Sequence, residues 1–415
     1  MLVRTLLNRC HHLEGFVYGN AAFASDNTIE VVVRPRKGSR GRCGGCGRRS
    51  PTYDTASKPR RFRFVPLWGF AFVLLYCMRR LQCGRCGIHA EALPWASGKN
   101  RTCNAYRLFL ATWAKRMSWG EVGRVFGVSW GVVYRSIAWV VNYGLEHRII
   151  DGVEAIGIDE MAIWSGHKYV TVVYQIDQGM RRLLWVGRER TEKTLEGFFE
   201  AFGEARTKAL YFVASDMWRP FINVVERFAP QVVHVLDRFH IVAKLHKAVD
   251  EVRAKEAKEL ARKGAGDVLK HARWPLLKNP ENLTDKQRLK LNQVLASNLR
   301  AVRAWLLKDA FNAFWRYNSP RWAEWFLDRW TTRAMRSRLD PLKRFARTLR
   351  AHKPLLMNWF LARKTISSGI VEALNGSAKF AIRKARGFRS FEALRIALFH
   401  QMGRLPEPPV AHRFC

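Results

Sequence analysis

Hydrophobic and polar residues follow a helical period in one part of the chain and a strand-like period in another. Between residues 104 and 143 the apolar positions recur every three to four residues, which predicts helices over 104–115, 118–127 and 129–143. Ser118 and Glu121 have the spacing of a capping box at the start of the second helix, and Ser129 caps the third. These helices form the first recognisable group of elements.

Small residues at fixed positions make this group typical of a helix-turn-helix. Gly123 would let two helices approach, Gly127 lies four residues later in the turn, and Val133 lies six residues after that in the shared core. The third helix would present three side chains to a DNA groove: Trp130, Tyr134 and Arg135. A plain three-helix bundle has the same local pattern and is the alternative.

The pattern changes to strands after Val153. It predicts strands over 154–163, 169–176 and 182–186, then a helix over 191–205, a strand over 210–215, a helix over 219–228 and a strand over 231–236. Three strands in meander spacing before strand–helix units predict a mixed sheet, in the order of the RNase H-like fold. The following residues, 239–360, are helical and basic, and we expect Trp322 and Trp325 on one helix face to be core residues.

An excess of basic residues narrows the possible partners of these elements. Lys and Arg number 72 against 34 acidic residues, a net charge of +38, and 12% of the residues are aromatic. This combination predicts nucleic acid as the partner, although a generic RNA-binding or ribosome-associated protein would have a similar balance. The longest apolar run, residues 66–78, is too short to span a bilayer, and the first residues lack a signal-peptide pattern. We therefore expect a cytoplasmic protein without disulfides.

Two CxxC pairs predict a zinc site near the N-terminus. Four thiolates suit tetrahedral Zn²⁺, and the pairs RCGGCG and QCGRCG supply them as Cys43, Cys46, Cys83 and Cys86. Strand-like stretches over residues 61–65 and 70–78 lie between the pairs, and we expect their hairpin to close the site. A redox pair or buried thiols are the alternatives, but the glycine-flanked knuckles argue against both.

The chain is therefore predicted to be a multidomain α+β protein. Its parts are a zinc ribbon over 1–97, a helix-turn-helix over 98–148, the first part of an RNase H-like α/β catalytic core over 149–245, an all-α insertion over 246–360, the last part of the core over 361–403, and a tail over 404–415.

Two acids occupy apolar strands, and a carboxylate in such a buried position needs an explanation. Asp159 lies in the middle of GIDEMAI, and Asp216 ends the strand LYFVAS. Burying a carboxylate is costly unless it is paired or binds a cation. The first and fourth strands of an RNase H-like sheet are neighbours, so the two acids should meet around a divalent metal. Glu160 should point to the other face of the sheet and be structural.

A third acid comes from a predicted helix that is capped by Ser367 or Ser368 and ends at Gly387. One stripe of this helix carries an acid, an amide and two cations, which are Glu372, Asn375, Lys379 and Arg383. The adjacent stripe is apolar, so the helix can pack on the sheet and direct the polar stripe at the metal site. An ordinary amphipathic helix with a solvated polar face is the alternative.

Two further residues, Asp237 and His240, could lie near the predicted metal site. Asp237 ends the last strand, and His240 follows one turn later. They could orient a metal ligand or a water molecule, or Asp237 could simply cap the helix that begins there. The two roles are compatible.

The motifs resemble those of one protein family. CGGCG, CGRCG, GIDEMA, SDMWRPF, LDRFH and GIVEALNGSAKFAIRKARGFRSF occur in the order found in DDE transposases of bacterial insertion sequences that carry an N-terminal zinc ribbon, the ISL3 group. The resemblance implies a catalytic triad of Asp159, Asp216 and Glu372. We predict that Asp159 bridges two Mg²⁺ (or Mn²⁺) ions, of which Asp216 binds one and Glu372 the other.

The same resemblance implies hydrolysis of phosphodiester bonds at the ends of an element and joining of the 3′-OH to target DNA. Lys379 and Arg383 would then hold backbone phosphates, and Asn375 would orient the scissile phosphate. The zinc ribbon and helix-turn-helix would recognise terminal inverted repeats. Because two ends must be brought together, we expect a homodimer or larger assembly on double-stranded DNA, associated with the nucleoid.

Two other functions are kept as alternatives. A sequence-specific DNA-binding regulator could use the same zinc ribbon and helix-turn-helix with the α/β part as a dimerisation module, but it would leave the buried acids unexplained. An RNase H-like nuclease that resolves branched DNA without strand transfer would share the metal site, but it would not need two modules for recognising ends.

Overall fold

The computed structural model describes residues 2–164, 168–362, 368–385 and 387–410. The chain divides into two compact units, one formed by Met1–Ile149 with Ala378–Cys415 and the other by Ile150–Ser377. Both helices and sheets are present, so the predicted α+β class is confirmed. None of the helices among the described residues combines the length and the apolar character that a membrane span needs.

The N-terminal part of the first unit consists mainly of strands. Its elements are α1 (Val3–Cys10), β1 (Phe16–Ser25), β2 (Thr28–Pro35), β3 (Gly41–Arg42), β4 (Arg49–Ser50), β5 (Thr52–Thr55), β6 (Arg60–Leu67), β7 (Phe70–Tyr76), β8 (Arg79–Cys83) and β9 (Gly87–Ala90). In the described residues, β1-β2-β7-β6 form one sheet, β5-β8-β9 a second and β3-β4 a third. The first sheet covers a core that contains Phe62, Leu74 and Trp95.

The hairpin between the two CxxC pairs lies elsewhere than predicted. Strands β6 and β7 pair with each other, and β7 also pairs with β2, so this hairpin belongs to the four-stranded sheet rather than to the cysteine site. Alternation along β6 buries Phe62 and Phe64, and this apolar face requires a core. The cysteine pairs lie instead beside the short strands β3, β4, β8 and β9.

Three helices follow the strands of the first unit, namely α2 (Asn104–Ala114), α3 (Trp119–Val125) and α4 (Trp130–His147). The predicted capping box of Ser118 and Glu121 is confirmed. A Cβ atom on Gly123 would lie 2.8 Å from the carbonyl oxygen of Val128, so the absence of a side chain permits this close approach. Gly127 has a φ of +60°, and Val133 is fully buried. The helix-turn-helix itself stays a prediction.

The second unit begins with a five-stranded mixed sheet. Its elements are β10 (Ala155–Trp164), β11 (Lys168–Asp177), β12 (Met180–Arg188), α5 (Glu192–Phe202), α6 (Glu204–Lys208), β13 (Phe212–Ser215), α7 (Arg219–Phe228) and β14 (Val233–Leu236). Within the described ranges the strand order is β12-β11-β10-β13-β14. The first three strands are antiparallel, and β13 and β14 run parallel to β10. The predicted helix over 191–205 is interrupted at Gly203, where φ is +90°.

A helical segment follows the sheet. Its elements are α8 (Arg238–Arg262), α9 (Arg273–Leu277), α10 (Asp285–Leu295), α11 (Arg300–Phe311), α12 (Pro320–Arg336), α13 (Asp340–Ala351) and α14 (Lys353–Leu361), with 3₁₀ turns at Gly266–Leu269, Pro280–Asn282 and Asn312–Arg316. Its core includes Phe311, Phe314, Trp330 and Phe345. The side chain of Asp237 accepts a hydrogen bond from the amide of Phe239 (2.6 Å), so its predicted role as a helix cap is confirmed.

The prediction that Trp322 and Trp325 are core residues is wrong. Their exposed fractions are 58% and 48%. Helix α12 buries a different stripe, which contains Ala323, Leu327 and Trp330. Two tryptophans three residues apart share a face, but the local pattern does not tell which face of the helix meets the core.

The chain ends with α15 (Ser368–Lys384) and α16 (Phe391–Met402). Helix α15 belongs to the second unit as far as Ser377 and to the first unit from Ala378. The predicted cap at Ser367 lies outside the described residues. Helix α16 packs on α4 within the first unit and buries most of its surface, including His400.

Candidate functional site

Asp159 and Asp216 lie at the same level on neighbouring parallel strands. Gly157 on β10 is the register partner of Ala214 on β13, and each acid follows its partner residue by two positions. Asp159 therefore lies in β10, and Asp216 directly follows β13. Because ligands of a sheet with parallel strands bind at the carboxyl ends of those strands, this edge of the sheet is the candidate site.

Helix α15 packs on this edge through its apolar stripe. A Cβ atom on Gly157 would lie only 2.5 Å from Cγ2 of Val371, so the helix touches the backbone of β10. Residues 157 and 159 point to the same face of the strand, since side chains alternate along it. Asp159 consequently faces α15.

Asn375 of α15 is the residue that reaches Asp159. Its Nδ2 donates to Oδ2 of Asp159, and its Oδ1 accepts a 2.8 Å hydrogen bond from the hydroxyl of Tyr174. All three residues are buried. The Asn375 amide, which we expected to orient a scissile phosphate, is thus engaged at both ends and fixes the orientation of Asp159. Burial raises the pKa of Asp159, and the hydrogen bond from the amide of Glu160 opposes this rise.

His240 lies between two of the acids. Its Nε2 is 3.9 Å from Oδ1 of Asp159 and 3.8 Å from Oδ2 of Asp237. The structure thus brings Asp159, Asp237 and His240 together, and the role of Asp237 and His240 in orienting a ligand or a water molecule stays a prediction. Both separations are too long for direct hydrogen bonds.

Arg190 connects two acids and was not identified from the sequence. Its guanidinium lies 3.0 Å from Oε1 of Glu160 and 3.1 Å from Oδ2 of Asp216, and it stacks over the Trp218 ring at 4.2 Å. Glu160, predicted to be structural, is therefore ion-paired. Burial, and then the charge of Asp216, raises the pKa of Glu160 to about 7. Arg190 lies in a polar stretch just after β12, and no local pattern distinguishes it from the many other arginines.

Glu372 is exposed on α15, one turn before Asn375. Its spacing of three residues from Asn375 places Glu372 beside the stripe of the helix that meets the sheet, with its own side chain in solvent. Within the described part of the chain, the acids do not form a group whose ligand atoms all lie within 4.8 Å; only the four cysteines do. Lys379 and Arg383 are exposed and belong to the part of α15 that lies in the first unit.

The four predicted zinc ligands come together in the first unit. The sulfur atoms of Cys43, Cys46, Cys83 and Cys86 all lie within 4.8 Å of one another. Tetrahedral zinc with bonds of about 2.3 Å needs sulfur separations of roughly 3.8 Å, so the group fits the ion. The amides of Arg85 and Cys86 lower the pKa of Cys83 to about 6. The hydrogen bond with Cys46 raises the pKa of Cys86 to about 12. Four thiolates in so small a space would repel one another, and a bound Zn²⁺ would offset that charge.

The predicted DNA-contacting side chains begin α4. Trp130 is 53% exposed and stacks on Tyr134, with ring centroids 5.4 Å apart and planes 5° from parallel. Arg135 is exposed, and its carbonyl oxygen accepts a 3.3 Å bond from Arg107. Arg107 is buried, its Nη1 has no hydrogen-bond partner among the described residues, and burial lowers its pKa to about 10.

Arg107 and Arg135 line one cavity of about 710 Å³ together with Lys99 and Arg101. None of the described residues that line this cavity is an Asp or a Glu, and Nη1 of the buried Arg107 has no hydrogen-bond partner among the described residues. A guanidinium fork matches the geometry of both carboxylate and phosphate oxygens, so this lining suits an anion of either kind.

Comparisons with known proteins agree on one family. An ISL3-type family model described as transposase matches residues 156–398, and a model described as zinc-finger of transposase IS204/IS1001/IS1096/IS1165 matches residues 39–86. The chain is similar to the transposase for insertion sequence element IS1001 of Bordetella parapertussis, with 28% identity over 399 residues, 94% of this chain and 96% of the relative. It is also similar to the transposase for insertion sequence element IS1557 of Mycobacterium tuberculosis, with 30% identity over 406 residues, 92% of this chain and 90% of the relative.

Proposed function

The chain belongs to the ISL3 family of insertion-sequence transposases, and from that membership we propose that it cuts DNA at the ends of an insertion sequence and joins the freed 3′-OH to target DNA. Asp159, Asp216 and Glu372 are the proposed catalytic triad. The sheet β12-β11-β10-β13-β14 with α15 is the proposed RNase H-like core, and α8–α14 form its helical insertion.

One observation carries this proposal, namely that two acids share one level of neighbouring parallel strands and that α15 packs against the strand of Asp159. Asp159 and Asp216 share a level of the sheet, and Glu372 is on the helix that contacts the strand of Asp159. A dimerisation module of a regulator would have no use for buried carboxylates there, since each one costs folding free energy.

The residues at this edge fit a divalent cation. The carboxylate of Asp159 is buried and its pKa is raised by desolvation, and Oε2 of neighbouring Glu160 is buried with no hydrogen-bond partner among the described residues. Hard oxygen ligands of this kind favour Mg²⁺, or Mn²⁺. When bound, such ions activate the attacking oxygen and stabilise the leaving oxygen of a phosphodiester.

The protein's own side chains prepare this edge for the reaction. Tyr174 and Asn375 hold the Asp159 carboxylate in one orientation. A carboxylate that is to bind a metal ion needs such a fixed orientation before the substrate arrives. Arg190 offsets the charges of Glu160 and Asp216. His240 lies close enough to Asp159 and Asp237 to orient a water molecule between them.

Recognition of element ends is assigned to the first unit. We propose that α2–α4 form a helix-turn-helix whose Trp130, Tyr134 and Arg135 contact DNA, and that Lys379 and Arg383 contact backbone phosphates. Zinc held by the four cysteines would stabilise the ribbon; a chain with Cys83→Ser and Cys86→Ser should lose a stoichiometric zinc, measured by metal analysis. Because two ends must be joined, we propose a homodimer or larger assembly.

Strand cleavage tests the proposal. The substrate is duplex DNA that carries the element ends with their flanks, incubated with Mg²⁺, and the readout is release of a 3′-OH at the end. The Asp216→Asn variant keeps the size of the side chain but loses its charge, so we expect cleavage to fall roughly a thousandfold or more while DNA binding persists. Glu200→Gln, at an exposed acid of α5, is the matched control and should cut normally.

The other outcomes distinguish the alternatives. If the wild type binds ends but cuts nothing with any divalent metal, the catalytic proposal fails and a regulator becomes the better account. If it cuts but never joins the 3′-OH to a second DNA, a nuclease without strand transfer is supported instead.

A further inference from the structure

A concave surface in the helical segment of the second unit is lined mainly by arginines. It has a volume of about 740 Å³ and lies between α11 and α12. Its charged lining residues are Arg303, Arg329, Arg333, Arg336, Arg338 and Asp328. We call it the arginine cavity. The proposed triad does not include it.

The part of the chain that the structure describes leaves most of the positive charge of the arginine cavity without an ion-pair partner. Among the described residues, none of its five arginines forms an ion pair with a carboxylate. The one acid among the lining residues, Asp328, forms an ion pair with Lys353, whose Nζ lies 2.9 Å from both carboxylate oxygens. Five guanidinium groups around a concave surface concentrate positive potential there, and a polyanion is the ligand that relieves their repulsion.

The backbone at the end of α12 supports a role for these side chains. Arg338 directly follows the helix C-cap and has a φ of +61°. Glycine is the residue favoured at this position because it has no Cβ atom. The cavity thus includes one exposed guanidinium at a backbone position whose conformation costs the chain free energy.

Exposed aromatic rings continue the surface along α12. The guanidinium of Arg329, which lines the arginine cavity, lies 4.6 Å from the ring centroid of Trp325. Trp325 in turn meets Trp322 edge to face, with centroids 5.9 Å apart. Two largely exposed tryptophans therefore lie directly beside the cationic concavity, on the face of α12 that avoids the core.

We propose that the arginine cavity with Trp322 and Trp325 binds a single-stranded segment of DNA, its phosphates on the arginines and its bases stacked on the tryptophans. A duplex offers phosphates to the cavity but covers its base faces, whereas an unpaired strand offers both. That the strand is DNA rests on the proposed function. Strand cleavage at an element end produces DNA ends that can unpair, and this surface would hold one of them.

Binding of a labelled 20-nucleotide oligothymidine to the full chain tests the proposal, with fluorescence anisotropy as the readout and a 20-base-pair duplex in parallel. Trp322→Ala with Trp325→Ala should weaken single-strand binding roughly tenfold, the effect of losing base stacking, and change duplex binding by less than about twofold. Trp274→Ala is the matched control, because Trp274 is 56% exposed in the same unit with Arg273 over its ring.

The charges of the cavity are tested by the salt dependence of the same binding. Arg333→Gln with Arg336→Gln should make the slope of log K against log salt shallower by about 1.4, since each phosphate neutralised on a single strand contributes about 0.7. Lys286→Gln with Arg288→Gln removes the same charge from exposed positions of α10 and should leave this slope nearly unchanged.

A photocrosslink locates the strand directly. An oligothymidine with one 5-iodouracil should crosslink to a peptide of α12 that contains Trp322 or Trp325. The proposal is overturned if the crosslinks map only outside α12, or if the double tryptophan variant binds single strands as well as the Trp274→Ala control does. Equal losses for the duplex and the single strand would also overturn it.

Cleavage measured on the same preparations separates this inference from the proposed function. A wild type that does not cut element ends, but whose single-strand binding depends on the two tryptophans, refutes the proposed function alone. Normal cleavage without any dependence of single-strand binding on the tryptophans refutes this inference alone.

Discussion

The two ends of the Asn375 amide have different partners, and this difference fixes the side chain. Its oxygen accepts a hydrogen bond from Tyr174, so the nitrogen must point to Asp159. An amide that lost the tyrosine hydroxyl could rotate by half a turn and present its oxygen to the carboxylate, which would repel it. The hydroxyl of Tyr174, which does not itself touch Asp159, thus controls how that carboxylate is held.

Replacing Tyr174 with phenylalanine should therefore reduce cleavage without abolishing DNA binding. We expect a roughly tenfold loss of the cleavage rate, and a loss of about 1–3 kcal/mol in the free energy of unfolding because a buried acceptor stays unsatisfied. Tyr211→Phe, at a tyrosine 65% exposed in the same unit, is the control. Equal cleavage rates for the two variants would show that the orientation of Asn375 does not matter.

His234 is a buried histidine whose charge the fold excludes. It lies in β14, one ring nitrogen is 2.7 Å from the hydroxyl of Ser215, and burial lowers its pKa to about 4. The unfolded chain, with an ordinary histidine pKa near 6.5, binds more protons than the folded chain between about pH 4 and 6.5. Stability from this group is thus complete above pH 6.5 and decreases as the pH falls through that window.

The resulting pH dependence can be measured by urea unfolding. Between pH 7 and 4 the free energy of unfolding of the wild type should fall by roughly 3 kcal/mol because of His234. The His234→Gln variant should not show this decrease, because glutamine does not titrate. The exposed histidine variant His12→Gln should follow the wild type over the whole range. Parallel pH profiles for His234→Gln and wild type would contradict the burial of a neutral imidazole.

At the scale of elements, the contact between α15 and β10 determines whether the proposed triad can assemble. The backbone of Gly157 is in direct contact with the side chain of Val371, because a Cβ atom on Gly157 would lie only 2.5 Å from Cγ2 of Val371. Val371 is stiff at χ1, so it cannot rotate away at little cost. The helix that carries Glu372 and Asn375 therefore depends on one missing side chain in the strand of Asp159.

Gly157→Ala should displace α15 and lower cleavage by at least about tenfold, since overpacking a contact of this kind costs roughly 1–3 kcal/mol. Adding Val371→Ala frees the space that the new methyl group needs and should restore much of the activity. Gly197→Ala is the control, as its nearest neighbour atom would be 4.0 Å away. A double variant no better than Gly157→Ala alone would argue against this packing as the cause.

Most elements of the second unit were predictable because their patterns are local. Strands β10 and β11 are long and rich in β-branched residues, and helix α7 agrees with the prediction in both of its bounds. The split of the helix over 191–205 at Gly203 was missed, although glycine with a positive φ is the usual reason for such a break. The hairpin β6–β7 was expected to close the cysteine site but belongs to the four-stranded sheet, because alternation shows that a strand has a buried face but not what covers that face.

The contacts of the candidate site were less predictable than its acids. Asp159 and Asp216 stand out as acids in apolar strands, and Glu372 lies at a regular spacing from Asn375. The hydrogen bonds of Asn375 with Asp159 and Tyr174 join residues about 200 positions apart, and the pairing of Arg190 with two acids depends on three separate elements. Contacts of this kind follow from the packing of α15 and the sheet, which no local pattern contains.

On the scale of the whole molecule, the net charge of +38 stands in contrast to the proposed acidic triad. Many of the acids form ion pairs with arginines or lysines, so the uncompensated charge is positive. Such a chain attracts DNA over distances of about the Debye length, roughly 8 Å at physiological salt. The buried acids, by contrast, repel phosphate unless divalent cations are bound. Binding of DNA should therefore not depend on the acids, whereas cleavage should.

The salt dependence of duplex binding tests this separation. If six or more phosphates are neutralised, affinity for end-containing DNA should fall about a thousandfold or more between 50 and 200 mM salt, because each phosphate contributes about 0.9 to the slope. Asp216→Asn should have the same slope as the wild type. Asp216 contacts Arg190, and we do not expect Arg190 to bind a DNA phosphate in place of the lost carboxylate. A slope shallower than about −2 would mean that most of the basic surface does not contact DNA. A slope that changes in Asp216→Asn would mean that the acids and the binding surface are electrostatically coupled.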